Sequence, residues 1–148
     1  MTYSGRYRTK NIGKYDGDHN KIFYRSLWER QTFRWLDENP EVKKWSSEEI
    51  VVPYRCSSDG KMHRYFVDLK IVFSNGKTYL IEIKPKSQMK EPKRSSRTTP
   101  KYIREVFTYA KNISKWEAAT EYCKDRNWTF EVWNEDTLKG LGIKLLTS

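Results

Sequence analysis

Cysteine and histidine are scarce in this 148-residue sequence, with two of each, and their scarcity excludes several kinds of protein. Cys56 and Cys123 could pair, but two thiols make no disulfide scaffold, so reduced cysteines are expected. With His19 and His63 they are too scattered to match a zinc spacing. No apolar run approaches the roughly 20 residues that a transmembrane helix needs. The opening MTYSGRYRTK lacks the apolar centre of a signal peptide, so a cytosol-like compartment and no membrane partner are expected. Acidic residues are also in the minority, 19 against 29 lysines and arginines, for a formal net charge of +10. That surplus points to a polyanionic partner, with nucleic acid ahead of membrane because no amphipathic anchor is evident.

What is present is aromatic and globular in character. Hydrophobic residues make up 36% and aromatic residues 15%, enough for a single domain with a substantial core. Its most informative stretch runs from Arg64 to Lys86, RYFVDLKIVFSNGKTYLIEIKPK. Two runs rich in β-branched and aromatic residues flank Ser74-Asn75-Gly76-Lys77, a hairpin signal. Strand alternation puts Tyr65, Val67, Leu69, Ile71 and Phe73 on one face and Asp68 on the other. In the second strand Tyr79, Ile81 and Ile83 share a face, leaving Glu82 and Lys84 together opposite.

Turn length decides whether these charges meet. A two-residue turn would put Asp68 and Glu82 on opposite faces. A three-residue loop closed by a left-handed Gly76 would pair Phe73 with Lys77 and therefore Asp68 with Glu82, and this second register is expected. Facing carboxylates repel, so the pairing is intelligible when a divalent cation lies between them. Mg²⁺ prefers hard oxygen ligands, often one or two carboxylates plus substrate phosphate. A solvated hairpin face with mixed charge is the alternative on local sequence.

The rest of the chain reads more plainly. Residues 1–24 interleave basic residues with Tyr3, Tyr7, Tyr15, Phe23 and Tyr24 and read as an arm, with residues 25–148 as one domain. The arm's aromatics could stack on bases or pin the arm to the domain's own core, the latter expected for Phe23 and Tyr24. Ser26 and Glu29 form a capping box opening a helix that Asn39-Pro40 ends, so Glu29 has an ordinary role as the third residue of the first turn as well as a candidate role as a third carboxylate. Val42 to Tyr54 reads as one or two strands. Lys84 to Lys101 is a basic, proline-bearing loop whose Lys86, Lys90, Lys93, Arg94 and Arg97 are candidates for DNA backbone contact. Two helices are expected next, the second capped by Ser114 and Glu117, followed by a strand at Trp128–Trp133.

The segments Ser26-Leu-Trp-Glu29, Arg64-Tyr-Phe-Val-Asp68 and Ile81-Glu82-Ile83-Lys84-Pro85 together resemble the PD-(D/E)XK nuclease superfamily. Val67 stands where the superfamily name has proline, a position that supplies no ligand. Tyr24 to Glu29, Pro53-Tyr54 and I-E-I-K-P-K look like the TnsA-like branch, and more closely like the small head completion nucleases of T4-like phages, over nearly the full chain. The resemblance implies an α/β restriction-endonuclease-like fold with a central mixed β-sheet flanked by helices. It implies a Mg²⁺-dependent endodeoxyribonuclease, with Mn²⁺ able to substitute, that cuts double-stranded DNA with little sequence specificity. Asp68, Glu82 and the Ile83 carbonyl would bind the metal, Glu29 would complete the site through water or a second ion, and Lys84 would position or activate the attacking water. Phage portal or neck proteins are implied partners, host cytoplasm during assembly or the virion the implied location, and a homodimer could cut both strands. A structural virion protein on the same fold, or a transposase or repair nuclease, is the rival reading.

Overall fold

The computed structural model describes residues 4–94 and 97–146. At its centre is a four-stranded mixed sheet ordered β3 (Val42–Ser47), β6 (Leu69–Phe73), β7 (Thr78–Ile83), β8 (Thr129–Trp133), in which β8 alone runs parallel to its neighbour. Helix α1 (Leu27–Glu38) covers one face and α2 (Pro100–Arg126) the other. Two-stranded ribbons β1 (Gly5–Arg6) with β2 (Phe23–Tyr24) and β4 (Val51–Arg55) with β5 (Met62–Phe66) flank the sheet, and α3 (Glu135–Gly140) closes the chain. Among the described residues no helix is long and apolar enough to cross a membrane.

The hairpin takes the three-residue loop. Leu69 faces Ile81 and Val72 faces Thr78, and the Phe73 N–H bonds the Lys77 carbonyl at 2.9 Å, with Gly76 left-handed at φ +87°. A residue with a Cβ is strained at that φ, so glycine supplies the turn. Carried one step past the ladder, this register sets Asp68 across from Glu82.

The first strand is not continuous. It breaks at Val67-Asp68, where the chain leaves the β4–β5 ribbon and enters the central sheet. Alternation therefore loses its phase: Tyr65 and Val67 pack with Leu80, Ala119 and Cys123 beneath α2, while Leu69 and Ile71 pack with Phe33, Leu36 and Trp45 beneath α1. The expected single apolar face is thus two half-faces, and Asp68 lies at the seam. Nor is the opposite face solvated, since α2 lies across it.

Two further expectations are corrected. Residues 100–126 form one helix of 27 residues. Ser114 does not cap a second one; its hydroxyl bonds back to the Ala110 carbonyl at 3.0 Å and accepts the Ser57 N–H at 3.2 Å, a mid-helix habit of serine. The left-handed Asn127 ends the helix. Phe23 does not pin the N-terminal segment, being 50% exposed; Tyr15 and Ile22 are buried in the main core and Tyr24 packs at its edge.

The N-terminal segment is held by Asp37 of α1. This buried carboxylate accepts from Thr9 Oγ1 at 2.6 Å, the Lys10 N–H at 2.8 Å, the Asn11 N–H at 3.2 Å and Tyr7 Oη at 3.3 Å. Burial alone would raise its pKa, but these donors outweigh burial and hold it below the usual range. Asp37→Ala leaves the donors without a shared acceptor and should cost at least about 2 kcal/mol of stability. Urea unfolding would measure the loss, and limited proteolysis should place the new cuts before Phe23.

Candidate active site

The carboxylates converge because three chain junctions meet at one edge of the sheet. Helix α1 begins there, with Ser26 Oγ accepting the Glu29 N–H at 3.2 Å. The Glu29 carboxylate reaches back to the Arg25 N–H at 3.1 Å. Only half of the expected capping box forms, since the Glu29 side chain takes the N–H of Arg25, one residue before the cap, rather than that of Ser26; Glu29 still lines the cleft. The seam at Asp68 and the end of β7 complete the edge. One cleft of about 490 Å³ is lined by Glu29, Asp68, Glu82, Ile83 and Lys84, with Ser26, Trp28 and Gln88 at its sides.

Within it the charges are poorly compensated by the protein itself. Asp68 Oδ2 accepts the Ile83 N–H at 2.9 Å. Burial, then the Glu82 charge, lift the Asp68 carboxyl from 3.8 to about 8; the Ile83 N–H and Lys84 oppose that rise and Glu29 adds to it. Burial also raises Glu29, with the Arg25 N–H opposing and Glu48 adding. Glu82 is only 6% exposed. Hard oxygen donors crowded in a half-dry cleft and short of positive partners are the donor set a small divalent cation takes. Asp68 and Glu82 suit such an ion, with Glu29 lining the same cleft. At Ile83 the contact made with Asp68 is through the N–H.

Several residues in and around this site carry no local sequence signal. Trp116, on α2, donates its indole N–H to Glu82 Oε2, fixing that carboxylate from 34 residues away. Lys115 lies with its Nζ 5.3 Å from the Tyr65 ring centroid, and Tyr65 is buried with a hydroxyl lacking a hydrogen-bond partner. Glu48 is left-handed at φ 55°, bonds the Asp68 carbonyl through its N–H at 3.2 Å, and pairs with Arg25 at 3.1 Å. A non-glycine residue held at positive φ is a local cost, and here it closes the chain against the Asp68 seam.

The basic loop leaves directly from the cleft. Lys86 turns to α3, its ammonium 2.6 Å from Asp136 and its N–H 2.8 Å from Glu135. Lys90 and Lys93 line a second cleft of about 670 Å³ with Lys101 and Arg104 of α2, and Gln88 lines both clefts. Arg94 and Arg97 are exposed. The five candidates thus divide into one directed at α3, two in the second cleft and two on the loop's surface.

A different cluster lies at the β4–β5 turn. Ligand atoms of Cys56, Asp59 and His63 all fall within 4.8 Å of one another, so these residues could hold a metal ion. The sequence view of scattered cysteines and histidines missed this because Asp59 was not counted with them. Its groups are also satisfied locally: His63 Nε2 lies 2.8 Å from Asp59 Oδ2 and Cys56 Sγ 2.9 Å from Ser58 Oγ.

Two comparisons with known proteins find relatives of this chain. The family described as TnsA-like endonuclease N terminal matches residues 39–135, a span containing Asp68, Glu82 and Lys84. The chain is 43% identical over 148 residues to the head completion nuclease of Enterobacteria phage T4, covering 97% of this chain and 99% of that protein. No solved structure matches the chain.

Proposed function

Since the chain belongs to the TnsA-like endonuclease family, together with the phage head completion nucleases, we propose that it is a divalent-metal-dependent DNA endonuclease with a PD-(D/E)XK site, cutting duplex DNA with little base readout during phage head assembly. One observation carries the reading: Glu29, Asp68, Glu82 and Lys84, from a helix start and two strands, line a single cleft. Asp68 and Glu82 would hold Mg²⁺, with the Ile83 carbonyl and Glu29 as further ligands.

When bound, the ion supplies Lewis acidity that offsets the anionic charge of a phosphodiester. The protein's own parts do the positioning. Trp116 holds one Glu82 oxygen, leaving the other to face the cleft. The Ile83 N–H holds Asp68 Oδ2. Lys84, half-buried beside both acids, places positive charge where the attacking water and the phosphate would meet. Glu29 stands across from them, in position to orient that water. Lys90, Lys93, Lys101 and Arg104 continue the basic surface away from the cleft, suited to backbone phosphates, whose contacts position a duplex without reading its bases.

As a family member of this kind, the protein would act in the host cytoplasm while heads are completed, beside portal or neck proteins. Supercoiled plasmid incubated with the purified protein should be nicked or linearised in Mg²⁺ or Mn²⁺ and left intact in EDTA. Binding of the plasmid with no cutting in either ion would favour a structural virion role instead.

A further inference from the structure

We propose that the second cleft, between the basic loop and α2, holds one unpaired nucleotide of the DNA strand that runs out of the carboxylate cleft, with its base at Asn112 and Tyr109 and its phosphate among the cations of the rim. The inference rests on the nuclease reading of the first cleft and names the substrate class, a duplex with an unpaired nucleotide beside the cut.

Asn112 carries the inference. Only 6% exposed, it is the first buried residue of α2 and lines the cleft of about 670 Å³. It follows Lys101, Arg104 and Thr108, which line the same cleft, at steps of three and four residues, so all four lie on one stripe of the helix. Its side-chain amide makes no hydrogen bond among the described residues. A buried polar group without a partner is costly, and in a native fold it calls for a reason.

The lining selects the occupant. A carboxamide offers a donor and an acceptor side by side, so an anion alone would meet its oxygen as well as its N–H. The edge of a nucleobase offers the complementary pair, and Tyr109, half-buried in the same wall, supplies an aromatic ring for stacking. At the mouth, Lys90, Lys93 and Arg104 are exposed and form no ion pair among the described residues, against one unpaired acid, Glu91; Lys101 lies 3.9 Å from Glu105. Those three cations suit a phosphate. The volume falls within the roughly 300–1,000 Å³ of small-ligand pockets, room for one nucleotide. A paired base has its edge taken by its partner, so only an unpaired one can meet the amide. Gln88 lines both clefts, which makes them contiguous along the path of a strand. Because a carboxamide can turn over to present either order of donor and acceptor, it holds a base without naming it.

The test measures the affinity of the full-length protein, in EDTA so that no cutting intervenes, for a fully paired duplex and for the same duplex carrying a short single-stranded gap. The gapped duplex should bind about tenfold more tightly, the scale of one stacked base. Asn112→Leu should weaken gapped-duplex binding about tenfold, the low end for a two-point contact to a base, so that the preference disappears. It should not lower the melting temperature, since no hydrogen bond of the fold is lost; a purely structural role for Asn112 would move the melting temperature and spare the preference. Tyr109→Ala should reduce the preference and Tyr109→Phe keep it. Free dAMP should bind at least about 100-fold more weakly than the gapped duplex, whose other contacts make capture of the nucleotide intramolecular. Equal affinity of the parent for both duplexes, or a preference that survives Asn112→Leu, would overturn the assignment and leave the cleft to an acidic protein segment. dAMP binding as tightly as the gapped duplex would overturn it in favour of a free nucleotide. None of these results touches plasmid cutting. A parent protein that never cuts would remove the nuclease reading, and the gap preference would still decide what the second cleft holds.

Discussion

Asp68→Asn protein should bind duplex DNA as the parent does and cut it at least about 10³-fold more slowly, the scale expected when a metal ligand and its charge are lost together. Asparagine keeps the shape of the side chain and an oxygen able to accept the Ile83 N–H now 2.9 Å away, so local structure is preserved. What disappears is a negative charge in a partly buried place, beside Glu82 and Glu29. Removing it should therefore leave the metal-free protein no less stable than the parent above neutral pH. Loss of cutting without loss of stability is the signature of a group retained for chemistry. Plasmid nicking in Mg²⁺, thermal melts in EDTA and a duplex-binding titration measure the three quantities. Parental cleavage by this variant would take Asp68 out of the mechanism.

Parts of this site were legible in the sequence because they depend on local rules. The left-handed Gly76 turn fixes the hairpin register, and register fixes which acid faces which. Ser26 and Glu29 announce a helix start whose third residue also looks into the cleft. Other parts were not legible because they depend on the packing of distant elements. Period-two alternation from Tyr65 to Phe73 cannot reveal that the chain changes sheets at Val67-Asp68, since each half keeps its own period. Ser114-x-x-Glu117 matches the local pattern of a cap, yet the same serine back-bonds within a continuous helix. Trp116 reads as part of the apolar face of an amphipathic helix; only the packing of α2 against the carboxylate edge shows that its indole holds Glu82.

The second large effect is the coupling of metal binding to protons. The carboxyl at Asp68, close to 3.8 in an unfolded chain, is raised to about 8 in the metal-free fold, mainly by burial and then by Glu82. Between those two values the folded protein holds a proton that the unfolded chain has released. Stability of the metal-free protein should therefore be full below about pH 4 for this group and fall as pH rises toward about 8. A divalent cation needs the ionised carboxylates and must displace that proton. Mg²⁺ affinity should accordingly climb about tenfold per pH unit from 6 to 8 and level off above, with close to one proton released per ion. At a concentration about 100 times its dissociation constant, the ion should add roughly 2.7 kcal/mol of stability, recovering part of what the metal-free protein loses as pH rises. Calorimetric titration in two buffers of different ionisation enthalpy would count the proton, and melts at pH 6 and pH 8 with and without Mg²⁺ would read the stabilisation. Asp68→Asn should abolish both the proton release and the slope. An affinity that does not change between pH 6 and 8 would mean that the Asp68 carboxyl is already ionised, and that the cleft is wetter than its burial indicates.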